Sequence, residues 1–236
     1  MLVAAAVCPC PPLLVPEVAA GAAPELDGLR AACLDALGVL AAARPDRLVV
    51  LGPAPQPGRG PHPQGARGSF RGLGVDVDVR LGQGPQAGER ELPQSLAVAA
   101  WLLERTRWSD APVEGLGVGE TLEAGRCLEA GRELAGADGR TALLVMGDGS
   151  ACRTLKAPGY LDERAADFDA EAARALGAAD TTALAALDGG LARELKAAGR
   201  APWQVLAGAG EGAGLKGQLL YDEAPYGVGY FVVAWS

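Results

Sequence analysis

Histidine is almost missing from this sequence: one imidazole, His62, occurs in 236 residues. A metal or acid–base centre that relies on two or more histidines is thereby excluded. Cations are also in deficit, with 21 Lys and Arg against 29 Asp and Glu. The resulting charge of −8 argues against nucleic acid or an anionic membrane surface as the main partner, and solubility is its plain meaning. No uninterrupted apolar run approaches the roughly 20 residues of a membrane-spanning helix. No basic segment precedes the apolar stretch near Met1, so a signal peptide is not expected and the chain reads as cytoplasmic. The five cysteines, at 8, 10, 33, 127 and 152, are odd in number and scattered, which does not make a secreted disulfide framework. Cys33 and Cys127 fall within helical patterns and read as small buried hydrophobes.

What is present alternates between buried strands and amphipathic helices. Leu2 to Val7 is a short continuous apolar run, suited to a strand covered on both faces. Pro9, Pro11 and Pro12 then fix φ and remove donors, so "CPCPP" leaves the sheet as a rigid corner with Cys10 at its centre. Pro24-Glu25 opens a helix whose Leu26, Leu29, Cys33, Leu37 and Leu40 share a face, and Pro45 ends it. "RLVVL" at 47–51 completes a βαβ unit with parallel strands. A Pro/Gly loop, 52–65, follows. Val75 to Leu81 alternates strictly and reads as a half-exposed strand near an edge, with Asp76, Asp78 and Arg80 on a solvated face. Further helices are expected over 93–107, 121–134, 162–176 and 181–198, and strands over 113–118 and 141–146. "QLLYDE" and "GYFVVAW" form a closing hairpin. The expectation is α/β: a single domain over 1–236, with a mainly parallel central sheet flanked by helices and a terminal β-hairpin.

Ligands of open α/β sheets bind beyond the carboxyl ends of the strands. "CPCPP", "GPAP" and "GDGSACR" occupy that position and define a candidate pocket. Asp148 and Ser150 are suited to capping the next segment or orienting a ligand. Arg153 and Lys156 place two cations at the same mouth, for a small anionic molecule or for pairing with Asp162 or Asp167. Tyr160 is expected to pack within its Ala-Pro-Gly-Tyr turn. "GAGEGAGLKG", around 207–217, lacks the Gly-Lys-Ser/Thr ending of a phosphate loop, so it is weak ground for nucleotide binding.

Four stretches, "CPCPPLLVPEV", "PDRLVVLGPAP", "GDGSACRTLKAPGYLDERAADFD" and "APYGVGYFVVAW", resemble the class III extradiol ring-cleavage dioxygenases. That is the family of the protocatechuate 4,5-dioxygenase β subunit, and the likeness is greatest to its smaller LigB-like members. The resemblance covers most of the chain and implies an α/β fold. It also implies ring opening of catechols by O₂ at an Fe(II) held by two histidines and a carboxylate, with a further histidine as acid/base. Two imidazoles and a carboxylate on one face leave open positions for diol and O₂, and a histidine of near-neutral pKa suits the proton transfer. Carried over residue by residue, the iron histidines fall on Cys10 and Ala54 and the base on Ala151. The carboxylate position is loose, with Glu211 as candidate.

Two readings follow from these replacements. In the first, the iron site has decayed, no metal or cofactor is held, Cys10 is a small filler, and the protein binds a small anionic or aromatic molecule or a partner, homo-oligomers included. In the second, an enzyme persists: Cys10, His62 and Glu211 hold zinc or iron, or Cys10 acts as a thiolate nucleophile activated by Arg153 and Lys156.

Overall fold

The computed structural model describes residues 1–236. Three of its parallel strands are the apolar runs, β1 (Leu2–Cys8), β2 (Arg47–Pro53) and β7 (Thr141–Met146); with β6 (Val113–Val118) they pair in the order β6-β2-β7-β1. Three antiparallel strands complete the sheet. β3 (Gly60–His62) lies outside β6, while β9 (Tyr230–Trp235) and then β8 (Gly217–Glu223) lie outside β1 as the expected hairpin. The order is therefore β3-β6-β2-β7-β1-β9-β8. Every residue of β7 is buried, as a central strand with helices on both faces requires.

Alternation along β1 separates the two cores. Ala4, Ala6 and Cys8 pack with α2 (Asp27–Ala42) and α3 (Gln94–Thr106). Ala5 and Val7 pack on the opposite face with α4 (Ala124–Gly136), α5 (Arg164–Gly177), α6 (Thr181–Ala185), α7 (Gly189–Glu194) and α8 (Arg200–Gly210). One short helix, α1 (Pro16–Ala19), precedes α2 in the corner after β1.

The 52–65 stretch, read as a loop, supplies strand β3, and three further segments differ from their sequence reading. The alternating run near 75–81 contributes only β5 (Asp78–Arg80), paired with β4 (Arg67–Ser69) in a separate two-stranded sheet. Its acidic face is indeed outward, with Asp76 and Asp78 bound to Arg71. The helix expected over 181–198 is broken at Asp188, whose carboxylate caps α7 through the N–H groups of Gly190 and Leu191. The start of the Gly-rich 207–217 stretch belongs to α8, a core helix that Pro202 in its first turn and the later glycines disguise. Those glycines serve close packing: a Cβ on Gly208 would stand 2.2 Å from the Leu128 carbonyl oxygen, and one on Gly131 2.0 Å from that of Val205.

β1 and β2 lead into helices on one face, and β6 and β7 into helices on the other. The chain therefore parts in opposite directions at all three parallel junctions, β6/β2, β2/β7 and β7/β1. Crevices at the carboxyl edge of such a sheet form where neighbouring strands diverge in this way.

Candidate functional site

At the β1/β7 divergence the Cys10 backbone N–H donates to Asp148 Oδ1 at 2.7 Å. Asp148 retains some exposure, but burial pushes its pKa up to about 6, against the opposing pull of that hydrogen bond. Cys10 is 5 % exposed. Burial, followed by the charges of Asp148, Glu120 and Cys8, raises its thiol well above the ordinary range. Tyr230, buried on β9 beside them, is likewise raised by burial and then by Asp148 and Cys10.

Of the two cations expected to activate Cys10, Arg153 is engaged elsewhere. Arg153 Nη1 lies 3.1 Å from Asp169 Oδ2 on α5, rather than pairing with Asp162 or Asp167, and Lys156 is exposed. Asp169 is buried and also accepts the Ser150 N–H at 2.7 Å and the Ser150 hydroxyl at 2.8 Å. Gly149 and Gly229 make room for it, since a Cβ on either would stand within 2.8 Å of a carboxylate oxygen. Ser150 therefore anchors the loop after β7 to α5. Tyr160 does not fill its turn: Gly159 presses against Cys152 Sγ and the Ala151 carbonyl, and Tyr160 is 63 % exposed at a φ of 64°.

Cys10, Ala54 and Ala151 follow β1, β2 and β7, three neighbouring strands, as the sequence reading expects. All three are buried, none lines a principal cleft, and the Ala54 and Ala151 N–H groups are used by the carbonyls of Val118 and Leu195. Two methyl groups offer a metal no lone pair, so these positions do not fit a ferrous centre of two histidines and a carboxylate.

The alternative metal set is also dispersed. His62 lies on edge strand β3, four strand spacings from β1, which is roughly 19 Å. Its Nε2 is 2.8 Å from the Gly58 carbonyl oxygen. Glu211 follows α8 and pairs with Arg132 beside Met1 and Leu2, at the opposite end of β1 from Cys10. No group of three His, Cys, Asp or Glu side chains is placed to share a metal ion.

Sequence reasoning missed a cleft of about 250 Å³ at the carboxyl end of β6. The loop Glu120–Ala124 forms one wall, Gly189, Gly190 and Arg193 the other, and Arg200 lies at its base. Arg200 is 5 % exposed. Its Nη1 donates to Leu122 O at 2.7 Å and Gln204 Oε1 at 2.9 Å, its Nη2 donates to Glu120 O, and its Nε has no partner. The position of Arg200 immediately before Ala201-Pro202, at a helix start, was the signal available.

No family model matches the chain, and no curated protein matches it. Among solved structures it is similar to the uncharacterized protein JW3007 from Escherichia coli K12, with a TM-score of 0.56 at 13 % identity over 99 % of this chain and 100 % of that one, a likeness of fold.

Proposed function

We propose that the protein is a small-molecule binding protein on a class III extradiol dioxygenase-like scaffold, without iron-dependent ring cleavage. The observation that carries this reading is the set Cys10, Ala54 and Ala151 at the ends of three adjacent parallel strands. These are the positions to which the sequence resemblance assigns two iron ligands and the base, and two of them have no donor atom. The third is a buried thiol whose ionisation is opposed by burial and by neighbouring negative charge. The thiolate-enzyme alternative needs the reverse environment. The scaffold retains the divergent strand ends at which α/β proteins hold ligands, and that feature supports binding as the remaining role.

Protein loaded anaerobically with Fe(II) and then exposed to O₂ with protocatechuate is expected to give no coloured ring-fission product above the metal-only control. A chelator-sensitive product would overturn the reading.

A further inference from the structure

We infer that the cleft at the carboxyl end of β6 is an oxyanion site, which takes a carboxylate or phosphate group of a small polar molecule against Arg200 and Arg193. This rests on the small-molecule-binding part of the proposed function and gives it a place and a ligand class.

Arg200 is the principal observation. It is nine-tenths buried, yet every group it donates to is a neutral oxygen: two main-chain carbonyls and the Gln204 amide. It takes part in no ion pair, and its Nε is buried without a partner. A buried cation without a counter-charge is costly, and this one occupies the first position of α8, where the helix dipole is also positive. The first turn of α4, an unrelated helix, faces the same cleft with Ala124, and Glu123 before it makes no side-chain cap. Arg193 adds an exposed cation on the opposite wall. Gly189 packs close to the guanidinium, and a Cβ there would crowd it at 3.3 Å from Arg200 Cζ.

Glu120 and Glu123 stand at the exposed rim. Their carboxylates oppose a bare multivalent anion and favour a ligand with hydroxyl or ammonium donors beyond its anionic end. At about 250 Å³ the cleft is smaller than the usual range for drug-sized ligands, so a hydroxy acid or simple phosphate ester fits and a dinucleotide does not.

The test is thermal unfolding of the full chain in low-salt cationic buffer, titrated with inorganic phosphate, glycerol 3-phosphate or malate, each against sodium chloride at equal ionic strength. A saturable rise in Tm beyond chloride is expected with at least one oxyanion. A response to phosphates alone or to malate alone assigns the headgroup. Arg193→Gln, at an exposed position, should weaken the apparent affinity at least about tenfold, the loss of one charge-assisted hydrogen bond. Gly189→Ala should weaken it without changing charge, and Glu123→Gln should strengthen it. No response beyond chloride, or equal responses in wild type and Arg193→Gln, would overturn the inference. Neither result bears on ring cleavage, so this site can fail while the absence of iron chemistry stands, and the reverse.

Discussion

The Cys10 N–H and the Asp148 carboxylate, 2.7 Å apart, tie the end of β1 to the end of β7 at the line where the segments after the two strands part to opposite faces of the sheet. The pairing has a pH consequence. Burial raises Asp148 from the ordinary 3.8 to about 6, so the native state prefers the protonated acid. The stability this contributes is complete below pH 3.8 and is lost as pH rises through about 6. A rise of that size corresponds to about 3 kcal/mol, an upper figure because Asp148 is partly exposed. Asp148→Asn keeps an oxygen for the Cys10 N–H and abolishes the titration. Urea unfolding is expected to show Asn and wild type nearly equal at pH 4 and Asn more stable by about 1 to 3 kcal/mol at pH 7. Parallel stability curves would refute the assignment.

Much of this frame was legible in the sequence because burial on both faces leaves a simple trace. "LVAAAV", "RLVVL" and "TALLVM" are continuous apolar runs, and they are β1, β2 and β7. Helix α8 was not legible, since glycines that permit backbone contact with α4 look in sequence like glycines that make loops. Asp169, which closes the stretch beginning "GDGSACR", has a role that is illegible for a different reason. It shares the apolar stripe of α5 with Ala165, Phe168, Ala172, Ala173 and Leu176, and a carboxylate at such a position signals a buried partner. The partners, Ser150 and Arg153, come from a loop whose course only the tertiary structure fixes. Arg200 was hidden likewise, because its isolation depends on which carbonyls surround it.

Asp169 should rank among the costliest polar positions. Asp169→Ala strands the Ser150 N–H and hydroxyl and removes the partner of Arg153, with an expected loss of about 3 to 5 kcal/mol. Glu129→Ala, which breaks an exposed pair with Arg126, should cost less than about 1 kcal/mol. Chemical denaturation of the two variants checks the contrast, and similar losses would show that the Asp169 cluster is not the anchor of the loop after β7.

All five cysteines are buried and free, and burial raises Cys10 most plainly. Native protein at pH 7 to 8 should therefore react with iodoacetamide far more slowly than a free thiol, with five equivalents released only in denaturant. Cys10→Ser should leave the native rate unchanged and cost about 1 to 2 kcal/mol, the scale for setting a hydroxyl in a partly apolar site. A fast native thiol that disappears in this variant would restore a chemical role to Cys10.

The seating of α8 against α4 sets where Arg200 meets the carbonyls of Glu120 and Leu122, so the glycines between the helices link packing to the cleft. A Cβ on Gly131 would stand 2.0 Å from the Val205 carbonyl oxygen and 2.6 Å from the Ala209 nitrogen, contacts that only helix separation relieves. Gly38, exposed in the middle of α2, has nothing within 4 Å of the corresponding point. The same substitution should then act with opposite sign. Gly38→Ala raises stability by about 0.5 to 1 kcal/mol through helix propensity. Gly131→Ala lowers it by about 3 kcal/mol through overpacking, and any Tm response to oxyanions should weaken with it as α4 moves off α8. Denaturant midpoints for both variants, with phosphate titration of whichever remains folded, decide the matter. A neutral Gly131→Ala would mean that the two helices are not in backbone contact.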